Sequence, residues 1–143
     1  MSEQRHLRGV VDTSVVIDLE RIEPEALPVA LAVSSVTLAE LAAGPHATAD
    51  PEERARRQDR LQRVEAVFDP LPVDGAVARA YGRVYALVAA AGPKPRGRRA
   101  FDLLIASTAL AADLPLYTRN PADFADLGDL LEVVAVETSA VDL

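Results

Sequence analysis

The 143-residue chain has no cysteine, no tryptophan, a single lysine and no long apolar run. Without cysteine it can form neither a disulfide, nor a thiolate nucleophile, nor a cysteine-ligated zinc site. No apolar segment approaches the roughly 20 residues that span a bilayer, so no membrane helix is predicted. Residues 1–9 are polar and contain no apolar signal region, which together with the lack of cysteine favours a cytoplasmic protein.

What the chain does contain is enough apolar material for a core. Half of its residues are hydrophobic, which argues against global disorder, and its length predicts one domain over residues 1–143. The formal net charge of −7 argues against a protein that coats nucleic acid. It does not exclude a nuclease, because a cation bound at an acidic site reverses the local field.

Short apolar segments alternate with helical patterns along the chain. Helices are predicted near residues 13–19, capped by Thr13 or Ser14, and at 37–43, 50–68, 74–91, 101–110 and 121–127. Strands are predicted at residues 7–11, 29–34, 115–118 and 131–136, with 69–73 as a short edge strand. This alternation predicts an α/β domain with a mainly parallel sheet of four to five strands and helices on both faces.

The chain is organised around residues 99–124. The run from Phe101 to Leu110 leaves almost no polar side, which predicts a helix buried all round. Asp102 is placed in the first turn of that helix, where a carboxylate is rarely buried without a partner. A short strand follows, and a further helix opens at Asn120 with Asp123 one turn into it.

Four acids stand near the carboxyl ends of the predicted strands, which is where ligands collect in open parallel sheets. Asp12 follows the first strand, Glu40 lies one turn beyond the second, and Asp123 lies one turn beyond the fourth; Asp102 begins the helix that leads into the fourth strand. Carboxylates this close repel one another unless they are protonated or bind a cation. A hard cation with oxygen ligands, Mg²⁺ or Mn²⁺, is the predicted occupant.

Each acid taken alone has a simpler structural explanation. Asp12 can belong to a strand–helix turn, and Asp102 can be favoured by the helix dipole. Glu40 can close a capping box with Thr37, and Asp123 can close one with Asn120. Only their shared position at one sheet edge favours a site.

Four motifs carry a family resemblance: VVDTSVVID at 10–18, SSVTLAEL at 34–41, FDLLIASTAL at 101–110 and YTRNPADF at 117–124. In this order they resemble the PIN-domain ribonucleases, specifically the VapC-type toxins of toxin–antitoxin modules, over nearly the whole chain. The resemblance implies a PIN-like three-layer α/β/α sandwich and metal-assisted hydrolysis of RNA phosphodiester bonds.

The same resemblance implies roles for individual residues and partners. The metal-binding and catalytic acids would be Asp12, Glu40, Asp102 and Asp123. Thr13, Thr118 and Asn120 would support them. A VapB-type antitoxin would inhibit a homodimer of the chain, and the acidic pocket suggests that it inserts an arginine there.

Basic residues beside the predicted site are candidates for RNA contacts on the grounds of charge alone. The alternative is that the loop holding most of them is simply solvated. His6 and His46 are expected to be surface residues rather than bases. The candidate RNA-binding residues are Lys94, Arg96, Arg98, Arg99 and Arg119.

Several alternative functions remain open at this stage. A housekeeping PIN-type RNA-processing nuclease would share the same acids. A haloacid-dehalogenase-type phosphatase also places an aspartate after its first strand, but it needs a second aspartate where this chain has Ser14. A receiver-like signalling domain uses acids and a Lys-Pro pair, but Lys94-Pro95 precedes the central helix rather than following a strand. A pseudoenzyme that only binds a partner is disfavoured because all four acids are present.

Overall fold

A four-stranded parallel sheet forms the centre of the computed structural model, which describes residues 5–139. The strands are β1 (Arg8–Val11), β2 (Ala30–Ala32), β3 (Leu116–Thr118) and β4 (Val133–Ala135), arranged in the order β2-β1-β3-β4. Strand β1 pairs with β2 on one side and with β3 on the other. The carboxyl ends of β1 and β3 are therefore adjacent, and the residues that follow them share one edge of the sheet.

Successive residues of the strands face opposite sides of the sheet, as the two-residue period of a strand requires. Val10 and Leu116 belong to one apolar cluster, whereas Val11 and Tyr117 belong to the other. The first cluster includes Val84 and Leu103 from two of the helices, and the second includes Val15, Val16 and Val64 from two others. The sheet is thus covered on both faces, which confirms the predicted three-layer arrangement.

Within residues 5–139, five α-helices surround the sheet: α1 (Thr13–Ile17), α2 (Ser35–Ala43), α3 (Pro51–Val67), α4 (Gly75–Ala91) and α5 (Arg98–Ala111). Shorter 3₁₀ helices cover Leu19–Arg21, Pro24–Ala26, Gly44–Ala47 and Pro121–Leu127. The predicted caps of α3 and α4 are confirmed, since the side chains of Asp50 and Asp74 accept backbone N–H groups of the first turns. None of the helices in the described range is long and apolar enough to cross a membrane.

Helix α1 starts one residue earlier than a Thr13 or Ser14 cap would place it. Asp12 is the N-cap, and its carboxylate accepts the N–H of Val15. Likewise α2 begins at Ser35 with Ser34 as its cap, so the predicted capping box between Thr37 and Glu40 does not form. In both cases a polar residue at the strand end caps the helix, which frees the hydroxyl groups of the first turn for other contacts.

Two further predictions about short elements are wrong. Residues 69–73 do not form a strand and contribute a single bridge between Leu71 and Ser34, because the flanking Pro70 and Pro72 have no N–H to donate. Residues Pro121–Leu127 form a 3₁₀ helix with a kink at Phe124, and the Asn120 side chain does not cap it. The second capping box is therefore also absent.

The central helix α5 is less uniformly buried than its sequence suggests. It begins at Arg98, so Asp102 lies in its second turn rather than its first. Phe101 is 49% exposed, although Leu103, Ile105 and Ala106 are fully buried. The buried hydroxyls of Ser107 and Thr108 donate to carbonyls of their own helix, four residues earlier. One face of the helix start is therefore open beside Asp102.

Gly9 and Gly82 give a matched test of packing in this fold. A Cβ at Gly9 would lie 2.6 Å from Cε1 of the buried Tyr117 ring, whereas one at Gly82, within α4, meets nothing within 4 Å. We expect Gly9→Ala to lower the free energy of unfolding by about 1–3 kcal/mol through overpacking. Gly82→Ala should raise it by up to about 1 kcal/mol through helix propensity. Urea unfolding of both variants measures the difference, and equal stabilities would contradict the packing around Tyr117.

Candidate functional site

Asp12 is the most constrained acid of the predicted site. It directly follows β1, caps α1 and is 6% exposed. Its Oδ1 accepts the Ser14 hydroxyl at 2.6 Å and the Val15 N–H at 3.2 Å, and the Thr118 hydroxyl also bonds to its carboxylate. Burial raises the pKa of Asp12, and these hydrogen bonds oppose the rise because they stabilise the ionised form.

Glu40 approaches the same place from α2. The Thr13 hydroxyl donates to Glu40 Oε1 at 2.6 Å and lies 3.0 Å from the hydroxyl of Thr37. A hydroxyl has one proton, so Thr13 directs its proton to the carboxylate and accepts from Thr37. Thr13 is therefore hydrogen-bonded to Glu40, and the fully buried Thr37 holds Thr13 in turn.

Asp102 shows that the four acids form one electrostatic cluster. Its pKa is raised from 3.8 to about 6, first by desolvation and then by the charges of Glu40, Asp12 and Asp123, while Arg98 lowers it. Carboxylates raise one another's pKa only at short range, because water and ions screen more distant charges. The structure therefore brings Asp12, Glu40, Asp102 and Asp123 together.

The segment that carries Asp123 is attached to the start of α5. A guanidinium N–H of Arg99 donates to the main-chain carbonyl of Asp123, and the Asp123 side chain itself is exposed. Asn120 contributes through its backbone, since its N–H donates to Thr118 Oγ1 at 3.0 Å, while its side chain is exposed. Asp123 is thus the most accessible of the four acids.

The candidate RNA-binding residues occupy different environments. Lys94 and Arg96 are exposed in the loop of residues 92–97, and Arg98 acts electrostatically on Asp102. Arg99 bonds to the Asp123 carbonyl, as described above. Arg119 forms an ion pair with Asp18, so part of its donor set is already engaged.

Two polar residues of this region were not among the predicted site residues. Ser14 donates to Asp12 and accepts the N–H of Arg119 at 3.1 Å. Asp18 pairs with Arg119 at the other end of α1. The signal for Ser14 is a hydroxyl two residues after an N-cap aspartate, but a cap residue is the more common interpretation of such a serine.

The donor set suits a hard cation. The four carboxylates and their hydroxyl neighbours offer only oxygen, which Mg²⁺ and Mn²⁺ prefer. Within residues 5–139, no three His, Cys, Asp or Glu side chains converge closely enough to enclose an ion by themselves. Mg²⁺ typically takes one or two carboxylates and keeps several waters, so these residues fit such a site without a closed cage of protein ligands.

An open cleft of about 970 Å³ adjoins the acids. Glu40 and Thr13 line it on one side, and Phe101, Ile17 and Arg98 line it elsewhere. A second groove of about 540 Å³ runs between α1 and α3 and is lined by Val16, Val64 and Phe68 among others. Apolar surface therefore lies directly beside the charged cluster.

Comparison with known proteins agrees with this geometry. The family model described as PIN domain matches residues 9–130, which include all four acids and all four sequence motifs. The chain belongs to the PIN-domain family. The resemblance inferred from the motifs is thereby confirmed, and the phosphatase and receiver-like alternatives are set aside.

The relatives of this PIN-domain chain include two curated proteins of Mycobacterium tuberculosis. It is 39% identical to "Ribonuclease VapC5" over 83% of this chain and 87% of that protein. It is 33% identical to "Ribonuclease VapC4" over 90% of this chain and 97% of that protein. Among solved structures, it is similar to a chain of VapBC-5 from the same organism, with a TM-score of 0.79, 36% identity and coverage of 91% and 99%.

A pH-dependent stability is expected from Asp102. Its folded-state pKa of about 6 exceeds the ordinary aspartate value of 3.8, so the metal-free native state binds more protons between these values. The stability it contributes is complete below the lower value and is lost as pH rises through the upper one. With EDTA present, Asp102→Asn should raise the free energy of unfolding near neutral pH by about 1 kcal/mol, after allowance for screening of a half-exposed group.

Asp129→Asn is the control for this measurement, because Asp129 is exposed and outside the acidic cluster. Urea unfolding across the pH range should show the Asp102→Asn gain shrinking as the pH falls through about 6 and vanishing below 3.8. A gain that is independent of pH, or one that Asp129→Asn reproduces, would contradict the raised pKa of Asp102.

Neighbouring arginines provide a second comparison. Arg99→Ala removes the bond to the Asp123 carbonyl, so we expect faster hydrogen exchange at the amides of residues 121–127. Arg98→Ala removes a charge without that bond and should leave exchange there unchanged. Exchange measured by mass spectrometry distinguishes the two, and identical protection in both variants would show that Arg99 does not anchor the segment.

Proposed function

We propose that this chain is a divalent-metal-dependent endoribonuclease that acts as the toxin of a toxin–antitoxin pair. The observation that carries the proposal is the grouping of four acids and their hydroxyl partners, an all-oxygen donor set, beyond the adjacent ends of β1 and β3. The similarity to two proteins named VapC ribonucleases supports RNA as the substrate.

Within this proposal the four acids have distinct tasks. Asp12 and Asp102 are the buried and half-buried members and would bind the cation directly. Glu40 and Asp123 would complete the metal site, directly or through water molecules that donate hydrogen bonds to them. A bound Mg²⁺ or Mn²⁺ supplies a more acidic water and stabilises charge that develops on the phosphate oxygens.

The surroundings of the acids suit this chemistry. Thr13 orients Glu40, and the pair of Ser14 and Thr118 orients Asp12, through hydrogen bonds to their carboxylates. Lys94, Arg96 and Arg98 stand at the head of α5 and would contact phosphates on either side of the scissile bond. RNA as substrate implies a cytoplasmic location.

The proposed partner is a VapB-type antitoxin. Structures similar to this chain are VapBC complexes, including that of VapBC-5. A partner segment with an arginine could bridge the carboxylates, because a guanidinium matches carboxylate oxygens bidentately. Apolar side chains of the same segment would pack on Ile17 and Phe101, which are 43% and 49% exposed beside the acids. We propose that the inhibited toxin is a homodimer.

The test of the proposed function is RNA cleavage with matched variants. Asp12→Asn and Asp102→Asn should each lower the Mg²⁺-dependent cleavage rate by about 100-fold or more, because each removes charge that holds the cation. Asp129→Asn is the control and should cleave like the unmodified chain. Circular dichroism checks that each variant is folded.

Cleavage mapping on total RNA, with Mg²⁺ and with EDTA, provides the readout. Activity that persists in Asp12→Asn or in EDTA would refute the assignment. Expression in growing cells separates a toxin from a housekeeping nuclease, since only a toxin arrests growth when its antitoxin is absent.

A further inference from the structure

Helix α1 is tied to the end of β3 at both of its ends. Asp12, its N-cap, is bonded to the hydroxyl of Thr118, and Asp18, its C-cap, forms an ion pair with Arg119. The helix has only five residues, too few to hold a fixed orientation through its own hydrogen bonds. Burial of Val15 and Val16 and the hydrogen bond from the Asp12 N–H to the Tyr117 carbonyl place the helix against the sheet, and the two attachments add to them at the level of the side chains.

The Ser14 hydroxyl occupies the space between the two attachments. It accepts the backbone N–H of Arg119 at 3.1 Å and lies 2.6 Å from Asp12 Oδ1. A hydroxyl has a single proton, so the lone pair that faces Arg119 leaves the proton directed at the carboxylate. The backbone N–H of Arg119 thereby determines the direction of the Ser14 hydroxyl proton.

The Thr118 hydroxyl is oriented in the same manner. It accepts the N–H of Asn120 at 3.0 Å and bonds to Asp12. Two consecutive backbone N–H groups, those of residues 119 and 120, thus direct two hydroxyl protons onto one carboxylate. This arrangement fixes the rotation of the Asp12 side chain as well as its position.

The Arg119 side chain itself is partly enclosed. Its Nη1 donates to Asp18 Oδ2, whereas its Nε is buried without a hydrogen-bond partner in the described part of the chain. A buried donor without a partner costs free energy and calls for an explanation. The ion pair with Asp18 and the position of the Arg119 backbone N–H beside Ser14 explain why the Arg119 side chain is held in this enclosed place.

We propose that Asp18 and Arg119 are positioning residues that, through Ser14, hold the Asp12 carboxylate in the orientation that binds the divalent cation. This inference rests on the proposed metal-dependent function. It gives Arg119 a task other than the RNA contact expected from its charge. Residues that orient metal ligands typically change metal affinity by 10–100-fold when they are replaced.

The experiment measures Mn²⁺ binding to the metal-free protein by titration calorimetry and electron paramagnetic resonance. Ser14→Ala should weaken binding by about 10-fold or more. Asp18→Asn and Arg119→Gln should weaken it in the same direction, and the double variant should be no weaker than the worse single variant, because both act through one contact. Arg119→Lys should restore most of the affinity, since the ammonium can still pair with Asp18.

Matched controls separate positioning from general stability. Ser107→Ala removes another buried serine hydroxyl, which donates to the Leu103 carbonyl at 2.6 Å, away from the acids. Arg57→Gln breaks the ion pair with Glu53 on α3. Both should leave Mn²⁺ affinity unchanged even where they lower the melting temperature.

Asp12→Asn, measured in parallel, distinguishes failure of the proposed metal site from failure of the positioning inference. If it leaves Mn²⁺ affinity unchanged, the proposed metal site itself is wrong. If it abolishes binding while Ser14→Ala, Asp18→Asn and Arg119→Gln bind like the unmodified chain, the metal site stands and the positioning inference is overturned. The positioning inference is likewise overturned if those three variants melt at a lower temperature but bind Mn²⁺ with unchanged affinity.

Discussion

Mutual repulsion among carboxylates at one edge of the sheet is the constraint on which the rest of the site depends. Asp102 has a pKa of about 6 because burial and three neighbouring acids disfavour its ionised form. Such an arrangement persists only if the surrounding fold fixes each acid and a cation or another positive group can neutralise them. Three features of the fold fix the acids: the parallel pairing of β1 with β3, the cap of α1, and the attachment of the 3₁₀ helix to Arg99.

The hydroxyl groups around the acids explain how the cluster is held without a closed metal cage. Ser14 and Thr118 donate to Asp12, and Thr13 donates to Glu40. Each of these hydroxyls is itself oriented by a neighbour, which leaves its proton for the carboxylate. The hydroxyls therefore fix the orientation of Asp12 and Glu40 without closing a cage around them, which leaves room for the waters that Mg²⁺ retains.

Much of this molecule was predictable from sequence, and the parts that were not have physical causes. The strands, the Asp50 and Asp74 caps and the grouping of the four acids follow from periodicity and strand ends. The cap of α1 was misassigned because Asp12, Thr13 and Ser14 are all good caps, and only tertiary contacts decide between them. Ser14 and Asp18 were missed since their partner is Arg119, about a hundred positions away, and no local pattern connects them. The exposure of Phe101 depends on which neighbours cover the start of α5, which periodicity does not specify.

The strand order also governs when the site can first exist during synthesis. Asp12 lies near the beginning of the chain, whereas its neighbours Thr118, Arg119 and Asp123 come from near its end. Strand β1 gains its β3 partner only after the ribosome has released residues beyond 118, so Asp12 has none of these contacts before then. The edge that carries the acids therefore forms only after both strands have been synthesised and have paired. A partner that recognises the completed edge can therefore bind only after β3 has paired with β1.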